Sequence, residues 1–364
     1  MMGNSFRLRE LLTAGRIRVR DGEIFRQQPA ALPDGFDFSR VEGMLLGLAI
    51  GDALGNTTES QSPRARYEQH GEIRDYLRHS SYGDARGYPS DDTQLAFWTL
   101  EQALEDGGFD PASLARRFAR RRIFGIGNTV RQFQFNYGAG EPWERCGVPS
   151  AGNGALMRIA PILVPHLRNP SPALWADAAL CTMITHNDSM AVASSVAFVA
   201  VLWDLLRAGE RPAPEWWVER FADVLKQLEC AESYCPRSPH LEGSRGPLWR
   251  LLEKELPRAW EAGLTVREAA DRWYSGAYLL ETVPCVLYIL MKHGGDPEEA
   301  MVRAVNDTRD NDTVAAIVGA AVGALHGRAG LPERWIEALS GRTREDDDGR
   351  VFELIRQAAE AFGP

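Results

Sequence analysis

Cysteine is scarce in this chain, with five in 364 residues: Cys146, Cys181, Cys230, Cys235 and Cys285. An odd, scattered set excludes a disulfide framework and points to reduced thiols in a cytoplasmic setting. Cys230, Cys235 and His240 have poor spacing for zinc, and a fourth ligand is missing. Positive charge is also short: 41 Lys and Arg against 50 Asp and Glu leave a net charge of −9. A protein that grips phosphates is usually basic, so general nucleic-acid affinity is not expected. The arginines of 116–122 read as the solvated face of an amphipathic helix. Long apolar runs are missing. The longest, Met190 to Trp203, is broken by Ser194 and Ser195 and is too short to span a bilayer, so no membrane partner is expected. Arg7, Arg9, Arg16, Arg18 and Arg20 come without an apolar core, which excludes a secretory signal there. Alternating strand patterns are absent, apart from one small hairpin expected around Asp21-Gly22.

What is present is an ordinary globular composition, 44% hydrophobic and 25% charged, carried by helical spacing. The expected fold class is all-α. Residues 1–38 read as an N-terminal extension punctuated by Gly15, Gly22, Pro29, Pro33 and Gly35. Residues 39–364 read as one domain of many short helices. Its first segment repeats glycine every fourth residue, at Gly43, Gly47, Gly51 and Gly55. That stripe suits close packing of a buried helix, which also carries Asp52 and is followed by Glu59. Residues 60–90 read as a long loop, either a lid or surface irregularity.

The chemistry concentrates in two acidic groups. One is Val305-Asn-Asp-Thr-Arg-Asp-Asn-Asp-Thr-Val314, just before the uncharged run Val314 to Leu325. A run of small apolar residues of that kind is a helix buried on all sides. One capping acid would explain one of Asp307, Asp310 and Asp312. Several acids at the mouth of a buried helix repel one another unless a cation neutralises them. The other group, Ser90-Asp91-Asp92-Thr93, opens a second helical pattern. Hard oxygen donors without Cys or His suit Mg²⁺, Mn²⁺ or Ca²⁺ rather than Zn²⁺. Four carboxylates are enough for two divalent ions.

Two glycine turns could supply backbone amides to a phosphate or ribose. One is Gly125-Ile-Gly127-Asn128-Thr129, read as a turn capped by Asn or Thr into the next helix. The other is Ser150-Ala-Gly-Asn-Gly-Ala-Leu-Met-Arg158. Thr185-His186-Asn187-Asp188 caps another apolar helix, and His186 either packs there or points into a site.

Taken in order, these motifs resemble those of the ADP-ribosylglycohydrolase family, from about Val41 to Gly327. Gly51-Asp-Ala-Leu-Gly55 with Glu59, Ser90-Asp91-Asp92-Thr93, Gly152 to Arg158, Thr185-His186 and Asp310-Asn-Asp312-Thr313 carry the resemblance. It implies a single all-α, multi-helix orthogonal bundle with a dinuclear Mg²⁺ or Mn²⁺ cleft. By the resemblance, Ser90, Asp91, Asp92, Asp310, Asp312 and Thr313 would be metal ligands. Glu59, Asp92 and Asp312 would be catalytic. Gly127, Asn128, Asn153, Gly154, Ala155, Met157 and His186 would contact ADP-ribose.

The implied reaction is hydrolysis of the glycosidic bond at C1″ of ADP-ribose on a protein, nucleic-acid or small-molecule acceptor. The attacking water would be activated by Glu59 or by the metals. Two departures from the family pattern stand out. Thr308 and Arg309 replace a Gly-Gly pair, putting a cation beside the expected metals. Gly125 stands where arginine-specific members carry Asp. Two other readings use the same residues: a dinuclear phosphohydrolase acting on a nucleotide or diphosphate, and a non-catalytic ADP-ribose-binding protein.

Overall fold

The structure, a computed structural model, describes residues 3–230 and 233–364. Among these no strand forms, and only isolated bridges such as Val148 with His186 and Gly152 with Tyr278 occur. The chain runs through α1 (Asn4–Thr13), α2 (Ser39–Asn56), α3 (Pro63–His70), α4 (Asp91–Asp106) and α5 (Pro111–Arg120). It continues through α6 (Asn128–Gly138), α7 (Trp143–Cys146), α8 (Ala173–Met183), α9 (Ser189–Arg207), α10 (Pro214–Leu228) and α11 (Leu248–Glu261). The last third holds α12 (Val266–Trp273), α13 (Leu279–His293), α14 (Pro297–Asp307), α15 (Asn311–His326), α16 (Glu333–Ala338) and α17 (Arg350–Phe362).

The centre is the pair α2 and α15, the most extensively packed helices in the molecule. The glycine stripe explains how they meet. A β-carbon at Gly47 would stand 2.1 Å from the Gly319 carbonyl oxygen, and one at Gly51 would stand 2.1 Å from that of Ala315. The two backbones therefore touch, which only glycine permits. Both helices are buried on nearly every side. Around this pair pack α4, α9, α13 and α14. Helix α9 is long and apolar enough to cross a membrane, with mean hydropathy 1.8, but 94% of that window is buried inside the protein. It runs past the apolar stretch seen in sequence because Asp188 caps its start, accepting from the Met190 and Ala191 amides.

Several expectations are corrected. No hairpin forms at Asp21-Gly22; Glu23–Arg26 is a 3-10 turn. The N-terminal extension, read as sparse in apolar residues, packs against the rest of the chain. Leu8, Leu11, Ile17, Val19, Ile24 and Phe25 are buried in the common core, and Asn4 Nδ2 donates to Asp177 of α8 at 2.7 Å. Apolar residues too sparse for a core of their own are sufficient to cover someone else's. Residues 60–90 are not all loop, since Pro63 and the Ser62 cap start α3. The arginine-rich face of α5 is not wholly solvated: Arg117 is buried against Glu101 and Gln102.

Candidate metal cleft

Helices α2, α4 and α15 bring the distant acids together. Ser90 caps α4, its Oγ accepting from the Asp92 amide at 3.3 Å, so the first turn presents Asp91 and Asp92. Asp310 stands at the N-cap of α15 yet makes no side-chain cap, which leaves its carboxylate free for other partners. Asp91, Asp92, Asp310 and Asp312 all line one cavity of about 210 Å³. Larger clefts exist, such as one of about 380 Å³ beside Trp260 that Glu215, Glu219, Glu253 and Glu261 line, but among the described residues the close carboxylate groups are those of Asp52, Glu59, Asp92, Asp310 and Asp312.

The oxygens form two groups that share a member. One oxygen each from Asp52, Asp92 and Asp312 lie within 4.8 Å of one another, and so do one each from Glu59, Asp310 and Asp312. Like charges this close raise one another's pKa, and burial adds to it. Burial, then the neighbouring Asp52, pushes Asp91 up to about 7. Burial raises Asp310 to about 6, against the pull of the Asn153 hydrogen bond. Asp92 and Asp312 rise well above the carboxylate range, first through burial and then through neighbouring carboxylates. Glu59 also rises, through loss of solvent and then Asp310. Asp92 Oδ1 is buried with no hydrogen-bond partner. An oxygen-only cluster with one orphaned oxygen, and with no Lys or Arg ion-paired to Asp52, Asp92, Asp310 or Asp312 among the described residues, fits a divalent hard cation.

Asp52 was missed as a site residue. It is wholly buried on α2 and accepts from the Ser90 and Thr93 amides at 2.9 Å and from Thr93 Oγ1 at 2.6 Å. With its oxygens so occupied, it fixes the α4 start and thereby Asp91 and Asp92. Its one sequence signal was a lone acid on an apolar, glycine-striped helix. Arg66, also missed, is wholly buried. It donates to the carbonyls of Val305 and Thr308 before the aspartate turn, and to Gln61, two residues beyond Glu59, at 3.0 Å. It staples the Glu59 segment to the end of α14.

The other expected residues divide. Glu59, Gly127, Asn128, Asn153, Gly154, Met157, His186 and Thr313 line the cavity. Ala155 does not; it is buried behind the loop with 1% exposure. Ser90 is also off the wall, its Oγ turned to Asp92 Oδ2 at 3.1 Å. Asn153 spends both amide hydrogens inside the protein, on Asp310 Oδ2 at 2.5 Å and Thr282 Oγ1 at 3.0 Å. It therefore orients an acid as well as facing the cavity. Neither Asn128 nor Thr129 caps α6, whose N-cap is Gly127; Thr129 pairs with Ser150 Oγ at 3.0 Å. Asp307 stays on α14 beside Arg303.

Arg309, expected beside the metals, is not among the residues that line the cavity. Its guanidinium lies 4.6 Å from the Tyr274 ring centre and its amide donates to Ser275 Oγ. Stacking on an aromatic face turns the cation away. Thr308 is buried, donating to the Ala304 carbonyl. Gly125 does face the cavity, with φ +46°, and a β-carbon there would stand 3.4 Å from Asp91 Oδ1.

The site is thus an acidic cleft between helix starts on an all-α scaffold, with carboxylate groups that could hold a metal ion. The family model for ADP-ribosylglycohydrolase matches residues 34–363, and the chain belongs to that family of glycosidic-bond hydrolases. An uncharacterized protein of Archaeoglobus fulgidus is 33% identical, covering 85% of this chain and 95% of its own. ADP-ribosylarginine hydrolase Tri1 of Pseudomonas putida is 29% identical over 83% and 74%, respectively. Human ADP-ribosylhydrolase ARH3 is 25% identical over 85% and 91%. A solved structure titled ADP-ribosylglycohydrolase-related protein complex superposes with TM-score 0.66 at 27% identity, over 89% of this chain and 97% of that one.

Proposed function

We propose that this protein hydrolyses the bond at C1″ of ADP-ribose in an ADP-ribosylated substrate and releases ADP-ribose. The reading rests on one observation above others: two acid groups over 200 residues apart in sequence line the same cavity as the Gly152–Gly154 turn and His186. Asp91, Asp92, Asp310, Asp312 and Thr313 would hold two divalent cations, Mg²⁺ or Mn²⁺, with Ser90 supporting Asp92. When bound, such ions supply Lewis-acid polarisation and anchor ribose hydroxyls.

The chain's own groups do the rest. Asp52 and Asn153 fix Asp92 and Asp310, so the acids need no reorganisation. Glu59, whose pKa is raised above the usual carboxylate value and which reaches the cavity from a turn, takes the proton of the attacking water. Cleavage at an anomeric carbon passes through an oxocarbenium-like state, which nearby carboxylates stabilise. The Gly154 amide and the His186 ring receive diphosphate or ribose oxygens, while the Gly152 and Asn153 amides hold the turn by donating to Ser150 Oγ and the Ala277 carbonyl. Five free cysteines fit a cytoplasmic setting.

The test is a panel of substrates ADP-ribosylated on arginine, serine, a nucleic-acid end or a small molecule, incubated with Mg²⁺, Mn²⁺ or chelator. Metal-dependent release of free ADP-ribose is expected from at least one. Release of AMP would instead indicate the phosphohydrolase, and binding without turnover a binding protein. Asp312→Asn should lose activity by about 1,000-fold or more while keeping its fold.

A further inference from the structure

His186 is 2% exposed, and its ring faces the cavity at the Gly152–Gly154 turn. A β-carbon at Gly154 would lie 3.1 Å from Cε1 and 3.3 Å from Nε2, so the ring packs close against the turn and any side chain there would push it aside by a few tenths of an ångström. Its backbone is fixed as well, since the His186 amide donates to the Thr182 carbonyl at 2.9 Å. Nε2 has no protein partner among the described residues, while Nδ1 lies 2.8 Å from Thr185 Oγ1.

Which ring nitrogen carries the proton follows from the next residue along. Arg158 is wholly buried and donates from one terminal nitrogen to the Gly154 carbonyl. From the other it donates to Thr185 Oγ1 at 2.6 Å. A guanidinium has only donors, so it consumes an acceptor lone pair of the hydroxyl. The hydroxyl keeps one hydrogen, and the acceptor within reach of it is His186 Nδ1. The buried hydroxyl hydrogen is satisfied only if Nδ1 is unprotonated, which puts the ring hydrogen on Nε2.

We propose that Arg158 and Thr185 are positioning residues that lock His186 as its Nε2–H tautomer, making it a fixed hydrogen-bond donor to an oxygen of the bound ligand. Burial, and then the Arg158 charge, holds the imidazole pKa down at about 3, so the ring stays neutral. His186 therefore takes no part in proton transfer. It selects a phosphate or ribose oxygen over a group that itself donates, because two donors facing each other would leave a buried N–H unpaired. The same arginine holds the Gly154 carbonyl, so the turn and the ring form one unit. The ligand's identity as ADP-ribose rests on the function proposed above; the tautomer does not.

The experiment is ¹⁵N–¹H correlation NMR of histidine-labelled protein, without ligand and then with ADP-ribose. His186→Gln identifies its resonances among the seven histidines. An unprotonated Nδ1 and a protonated Nε2 are expected in the free protein, and the Nε2–H should shift downfield on adding ADP-ribose. Thr185→Val, which keeps the shape and removes the hydroxyl, should lose the single-tautomer pattern and weaken ADP-ribose binding about ten-fold by calorimetry. Thr185→Ser should restore both. A protonated Nδ1 in the free wild type, or a Thr185→Val variant with unchanged tautomer and affinity, overturns the proposal. A correct tautomer in a protein that does not bind ADP-ribose refutes the functional reading and leaves the lock standing.

Discussion

Gly47→Ala tests the contact on which the cleft is built. A β-carbon there would stand 2.1 Å from the Gly319 carbonyl oxygen, where ordinary contact begins at 3.4 Å. Helix α15 would have to retreat by roughly 1 Å to admit it. Two effects oppose each other. Alanine favours a helix interior over glycine by about 1 kcal/mol. Overpacking a filled core costs about 1–3 kcal/mol, and the upper end applies when the obstacle is backbone. A side chain could rotate away, but a carbonyl inside a buried helix cannot, so strain wins by about 2 kcal/mol. The damage should reach the site. The α-carbon of Asp312 lies 2.3 Å from the β-carbon position of Gly55, so α15 is seated on α2 as far as its acids. A retreating α15 carries Asp312 away from Asp52 and Asp92, whose oxygens now lie within 4.8 Å of it. The assays are thermal unfolding and calorimetric Mn²⁺ titration. Gly47→Ala should melt a few degrees lower and bind metal more weakly. Gly138→Ala, at the end of α6 with nothing within 4 Å, is the matched control and should melt unchanged or slightly higher. A Gly47→Ala protein with wild-type melting and metal affinity would refute the close-packing argument.

Three further outcomes are expected. In chelator, Asp91 and Asp310 fold with pKa values raised from 3.8 to about 7 and about 6, so the folded state holds protons that the unfolded chain releases. Their stabilisation is complete below about pH 4 and is lost as pH climbs through about 6–7. The melting temperature should fall from pH 5 to 8 in chelator, and Mg²⁺ or Mn²⁺ should cancel the fall; a pH-independent melt in chelator would contradict this. Asn153→Ala removes the hydrogen bond that orients Asp310, and should weaken metal binding about ten-fold with little change in melting; undiminished affinity counts against that role. Arg66→Met strips a buried guanidinium from the carbonyls of Val305, Thr308 and Gln61 and should cost about 3 kcal/mol in urea unfolding. Arg66→Lys, able to reach only some of those carbonyls, should recover part of the loss, and equal losses in both would deny the staple.

Much of the cleft could be read from the chain because its parts are local. A hydroxyl and two acids before a helical pattern announce the start of α4, since orphan amides there need an oxygen. An acid-rich turn before an uncharged run announces α15, although its N-cap Asp310 makes no side-chain cap, and glycine every fourth residue announces a helix face with no room for side chains. These patterns are fixed by backbone sterics and hydrogen-bond demand within a few residues. Other features were decided only by packing. That the stripe on α2 meets Gly319 and Gly323 follows from two surfaces fitting, and neither segment names the other. Asp52 became a brace for α4 because folding set its carboxylate against the Ser90 and Thr93 amides, 38 and 41 residues away. Arg309 was turned from the acids by the ring of Tyr274, and residues 4–26 were drawn into a core to which their own sparse apolar content could not point. Sequence sets which groups must find partners; the burial of surfaces distant along the chain selects which partners they find.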